Sequence, residues 1–144
     1  MTRGRLGGYF AGTAVVAALI GFMFGWYQAY PAQHARDRAM LRLRVSEARS
    51  RTLDARVALA RSNYGDATKH LSEAVRLLEA FKTSDQDHLP PTESSKVDQA
   101  TVLLREAGAA VLTAPAAGTA HESSGRAERA SNLLGEVYRA TPEP

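Results

Sequence analysis

From Leu6 to Gln33 the chain carries no charged side chain, and nothing else in it restricts the fold so tightly. The segment 9–30 within this run holds only Thr13, Gln28 and the tyrosines as polar groups. As a helix it reaches about 33 Å, enough to cross the hydrocarbon core of a bilayer. Tyr9 at one edge and Trp26, Tyr27 and Tyr30 at the other stand where amphipathic rings settle at the headgroup boundary, so they are predicted interfacial anchors. A cleaved signal peptide needs small residues at the positions three and one before the cut. Cuts after Ala29 or Ala32 would place Tyr27 or Tyr30 at the first of these, which argues for a retained anchor. The span also carries two small-xxx-small spacings, Gly8 with Gly12 and Gly21 with Gly25, which allow close backbone approach by a neighbouring helix. The pairs lie about 220° apart around the helix, so they predict packing between other transmembrane helices.

Charge is divided along the chain. Residues 1–65 hold ten arginines against Asp37, Glu47 and Asp54, whereas residues 66–144 hold eight Lys and Arg against twelve Asp and Glu. The basic residues adjoin the apolar run, where anionic lipid headgroups are the nearest counter-charge, and no nucleic-acid-binding motif accompanies them. Arg36, Arg38, Arg42 and Arg44, followed by Arg49 and Arg51, are the candidate lipid or partner contacts. Near the span, Arg3, Arg5 and the α-amino group on one side nearly balance Arg36, Arg38, Arg42 and Arg44 on the other, a count that leans slightly to a cytoplasmic carboxyl domain. The short basic leader 1–8 resembles a signal-anchor, which favours a bacterial inner-membrane protein whose domain is periplasmic. With no cysteine, the chain has neither disulfides nor thiolate chemistry.

Beyond Pro31 the pattern is helical throughout, and no stretch alternates with period two. Ala39, Leu43, Leu53, Val57 and Ala60 form a stripe with gaps at Ser46 and Ser50. Asn63-Tyr-Gly-Asp66 reads as a turn in which Gly65 takes positive φ and Asp66 caps the next helix. Ala67, Leu71, Ala74, Val75, Leu78 and Phe81 then define that helix as amphipathic. The stretch 85–92 reads as a loop, and Val97, Ala100, Leu104, Ala107 and Val111 mark a third helix. After a break at TAPAAG, Thr119-Ala-His-Glu122 has capping-box spacing, and Ala127, Ala130, Leu134 and Val137 complete a fourth helix ending at Pro142. The expected organisation is all-α: leader 1–8, transmembrane helix 9–30, juxtamembrane helix and hairpin 31–84, loop 85–92, and a second helical pair 93–144.

The run ARVALARSNYGDATKHLSEA, with Ala55 on a first helix, Tyr64 at a turn and Ala67, Leu71 and Ala74 on a second, resembles one tetratricopeptide (TPR) unit. It departs from that family at Arg51 and Asp54, where large apolar residues are usual, and no proline closes the unit. The resemblance implies TPR-like hairpins, with a small bundle as the alternative packing, and it implies a role in protein binding.

Residues able to carry chemistry are few. His34, His70, His88 and His121 show no pairing at the three- or four-residue spacing of a helical zinc site. Asp85, Asp87 and His88 cluster in the loop 85–92 but lack the oxygens and central glycine of a calcium loop. No phosphate loop, nucleophile elbow or cofactor fingerprint is present. The sequence therefore points to a non-enzymatic accessory subunit without cofactor or small-molecule substrate. Its expected partners are other transmembrane subunits and anionic lipids, in a respiratory, photosynthetic, secretion or envelope-assembly complex. An anchored TPR-type adaptor or co-chaperone for transient clients is the alternative.

Overall fold

Four helices succeed one another in a computed structural model that describes residues 22–23, 35–85 and 89–143. We number them α1 (35–60), α2 (Tyr64–Asp85), α3 (Pro91–Thr113) and α4 (Ala117–Ala140). The chain falls into two units, Met1–Asp37 with Pro144, and Arg38–Glu143. In the first, Phe22 and Met23 are helical and exposed. The remainder of the predicted span 9–30 lies outside the described residues, and with it Gly8, Gly12, Gly21, Gly25, Tyr9, Trp26, Tyr27 and Tyr30. No helix among the described residues is long and apolar enough to cross a membrane.

The second unit is built from the stripes that its helices bury. Along α3 the predicted residues Val97, Ala100, Leu104, Ala107 and Val111 are all buried, as are Ala127, Ala130, Leu134 and Val137 on α4. On α2 the buried set is Ala67, Leu71, Ala74, Leu78 and Phe81, with Val75 packed at the edge of the core. Successive helices run antiparallel. Lys82 near the end of α2 meets Asp98 near the start of α3 at 2.5 Å, and Lys96 meets Glu136 near the end of α4 at 3.1 Å. The α3–α4 approach is close because its residues are small, and buried Ser123 donates from Oγ to the carbonyl of Ala107 at 3.2 Å. α4 then returns alongside α1, since Arg56 reaches Glu128 at 3.2 Å and Arg42 lies over Tyr138. The four helices thus enclose a shared core containing Leu41, Val45, Leu71, Leu78, Phe81, Val97, Leu104, Leu134 and Val137.

α1 overturns the stripe expected for it. Leu41, Val45, Ala48, Thr52, Ala55 and Leu59 are buried, while Ala39, Leu43, Leu53, Val57 and Ala60 face outward. The physical reason lies in the flanks of the inner stripe. Arg42, Arg49 and Arg56 recur every seven residues on its α4 side, and Arg51 on its α2 side reaches Glu73 at 3.5 Å. Their alkyl stems cover the margins of the core while their guanidinium groups face neighbouring helices. Thr52 tolerates burial by donating its hydroxyl to the carbonyl of Ala48 at 2.9 Å.

Two caps also differ from expectation. α1 ends in a Schellman motif: Asn63 N–H bonds the carbonyl of Ala58 at 2.9 Å and Ser62 N–H that of Leu59 at 3.0 Å. The left-handed position is taken by Ser62, φ 56°, and Gly65 instead lies in the first turn of α2. Asn63 caps α2, accepting from Asp66 N–H at 3.3 Å and donating its side-chain amide to Asp66 Oδ2 at 2.6 Å. α4 begins at Ala117 behind Ala116, with no side-chain cap. Thr119 is therefore inside the helix, and the capping box is not formed. Burial of Ala120 and Ser123 against α3 sets the start of the helix in its place.

Candidate interaction surface on the first helix

α1 has two usable faces, and only one of them is consumed by the fold. The outer stripe runs Ala39, Leu43, Ser46, Ser50, Leu53, Val57, Ala60, stepping alternately by four and three without a charged residue. Leu43 is 62% exposed, Leu53 40%, Val57 50% and neighbouring Met40 52%. Single exposed apolar residues are ordinary on a protein surface, whereas a three-four series along one helix is the seam by which helices pair. Alternation of threes and fours keeps the series on one side of the helix over about 33 Å.

The margins of this stripe are charged in an ordered way. On one side stand Arg42, Arg49 and Arg56; on the other stand Glu47 and Asp54, followed by Arg61. The three arginines lean towards α4. Arg42 sits 4.7 Å from the Tyr138 ring centroid, a cation–π contact, with Nη1 3.7 Å from Glu143 Oε1. Arg49 lies over Gly135, its Cζ 3.5 Å from where a Cβ would stand, so the missing side chain of Gly135 makes room for the guanidinium. The buried Nε atoms of Arg42 and Arg56 lack a hydrogen-bond partner among the described residues, although the guanidinium of each is held elsewhere. Neither Arg49 nor Glu47 nor Asp54 has an ion-pair partner among the described residues.

The predicted contact residues are thereby divided. Arg42 is committed to α4, and Arg38 donates from Nη1 to the Glu143 carbonyl at 3.4 Å. Arg36 is exposed, and Arg44 is half-buried on the α2 side of the stripe. Of the residues behind the TPR resemblance, Ala55, Ala67, Leu71 and Ala74 are buried and Tyr64 is half-buried against Ala58, Leu59, Ala67, Val111 and Ala120. Heptad spacing of Arg42, Arg49 and Arg56, with Glu128 on α4 and Glu143 beyond it to receive two of them, was the sequence signal for the edge of the inner face that meets α4.

Elsewhere the described surface offers little chemistry. A shallow cleft of about 310 Å³ between α2 and α3 is lined by Glu79, Lys82, Asp98, Thr101, Val102 and Arg105. Its charges neutralise one another, Lys82 on Asp98 and Arg105 on Glu79. No three metal-ligating side chains converge among the described residues. His70 is half-buried, its Nδ1 without a hydrogen-bond partner among the described residues, and His121 is exposed. The side chains of Asp85, Asp87, His88 and His34 lie outside the described residues. The pKa of Lys96 is raised by its hydrogen bonds to Glu136 and Glu93. Comparisons with protein-family models, curated proteins and solved structures return no match to this chain.

Proposed function

We propose that the protein is a single-pass, membrane-anchored accessory subunit that binds and stabilises a larger membrane complex through helix–helix contact. The observation that carries this reading is the uncharged outer stripe of α1, a pairing seam that the fold leaves uncovered on the helix nearest the apolar run. In this reading the segment 9–30 spans a bacterial inner membrane, and Tyr9, Trp26, Tyr27 and Tyr30 fix its depth. Exposed Phe22 and Met23 are side chains that suit lipid or a neighbouring transmembrane helix. Gly8, Gly12, Gly21 and Gly25 provide close-packing faces within the bilayer. Arg36 and Arg44 supply the juxtamembrane positive charge that favours anionic lipid, worth about 1 kcal/mol each near the surface.

In this reading the helical domain carries the interaction surface on the periplasmic side. A respiratory, photosynthetic, secretion or envelope-assembly complex would serve as host. Return of α4 onto α1 favours this closed module over an adaptor that holds clients in an open groove. Purification of the full chain from native membranes in mild detergent tests the reading. The expected result is co-purification of other membrane subunits in fixed proportion. Recovery of the chain without companions, from membranes in which they are abundant, would overturn it.

A further inference from the structure

We infer that the outer stripe of α1 pairs with the same stripe of a second copy of this chain, the two helices running parallel. This rests on the reading of that stripe as an interface and adds the identity of its occupant. In a paired helix the seam positions are Leu43, Ser50 and Val57 at one register, and Ala39, Ser46, Leu53 and Ala60 at the other. This pattern extends over about three heptads, the minimum that specifies a coiled coil. Serine and alanine between the leucines thin the seam, so the helices approach closely there, and the exposed Leu43, Leu53 and Val57 supply its apolar contact.

Flanking charge decides both the partner and the direction. In a parallel pair, each residue preceding the first seam position faces the residue five places further along the other helix. That rule sets Arg49 opposite Asp54 of the second copy, a pair that by symmetry occurs twice, while Arg42 stands at the register of Glu47 but is held by Tyr138 and Glu143 of its own chain. Arg49, which rests on Gly135 without an acidic partner among the described residues, would acquire one; so would Asp54. In an antiparallel pair the same flanks would bring Glu47 against Asp54 and arginine against arginine. Like charges disfavour that arrangement. Arg56 and Arg61 oppose each other at the far end of the parallel pair, but Arg56 is drawn aside by Glu128 at 3.2 Å. A self-complementary surface of this kind is what a two-fold interface requires.

The absence of native cysteine makes a direct test simple. Leu43→Cys, Ser50→Cys and Val57→Cys are placed singly in the full-length chain, and membranes are treated with a mild copper oxidant. Each should give a disulfide-linked dimer, while Ser72→Cys, exposed on α2, should not. Linkage at Ser50→Cys alone, together with mixed linkage of Leu43→Cys to Val57→Cys, would overturn the parallel arrangement. Linkage at none of the three, or adducts only with a different protein, would overturn self-pairing while leaving the accessory-subunit reading in place. Asp54→Arg in the Ser50→Cys background should lower the dimer yield several-fold, and adding Arg49→Asp should restore it. Failure of that restoration, with circular dichroism showing the helices intact, would remove the charge basis for the register.

Discussion

α1 and α3 are helices of similar length in one bundle, yet their sequences constrain them differently. α3 has one apolar stripe, Val97 to Val111, and the fold buries it; its opposite side offers only Val102 and Leu112 as large exposed apolar residues. α1 has two stripes of nearly equal apolarity, Leu41-Val45-Ala48-Thr52-Ala55-Leu59 and Leu43-Ser46-Ser50-Leu53-Val57-Ala60. Burial can satisfy just one of them within a single chain. A helix with one stripe announces its core, whereas a helix with two leaves open which of them the fold will bury.

The largest expected effect separates the two faces of α1 with the same substitution. Leu41→Ala should destabilise the domain by about 2–4 kcal/mol, comparable to Leu104→Ala on α3, because both leave a cavity in the shared core. Leu43→Ala should change unfolding by less than about 0.5 kcal/mol when measured in dilute detergent with copies separated. Chemical denaturation followed by circular dichroism distinguishes them, and equal losses at Leu41 and Leu43 would break the distinction. Next in size is Arg42→Ala, expected to cost about 1 kcal/mol through loss of the Tyr138 and Glu143 contacts, with Arg36→Ala neutral in the same assay.

Smaller and opposite in sign is Ser62→Gly. The left-handed residue of the α1 cap has φ 56°, so glycine there should raise stability by about 0.5–1 kcal/mol, read as an increase in midpoint without change in slope. The smallest effect concerns Lys96 on α3, whose pKa is raised first by the hydrogen bond to Glu136 and then by that to Glu93. A raised folded-state pKa means that its contribution is complete below the ordinary lysine value of about 10.4 and disappears as pH climbs through the folded value above it. The thermal midpoints of wild type and Lys96→Met should therefore differ slightly at neutral pH and converge in strong alkali.

The all-helical character and the positions of α2, α3 and α4 were legible because each carries a single long stripe at helical spacing. The burial of α1 was not, since Thr52 and Ala48 weaken the inner stripe while Leu43, Leu53 and Val57 strengthen the outer one. What resolves it is tertiary: Arg42, Arg51 and Arg56 find Glu143, Glu73 and Glu128 only when the inner face points inward. The caps were misassigned for a related reason. Gly65 and Thr119 have suitable local chemistry, but the register of packing places them inside helices and leaves Ser62 and Ala116 at the boundaries. The exposed outer stripe of α1 thus has the sequence pattern of a core, and its arginine margin that of a lipid contact.

Thiol accessibility along α1 in native membranes tests most directly whether the outer face is an interface. Leu43→Cys, Ser50→Cys and Val57→Cys, introduced singly, are compared with exposed Ser72→Cys on α2 and Asn132→Cys on α4 for reaction with a water-soluble maleimide in opened membranes. An interface predicts slow labelling at the three α1 positions, rising to the rate of the controls once detergent separates the assembled chains. Equal labelling at all five positions in intact assemblies would mean that nothing covers this face, and would contradict an interface there.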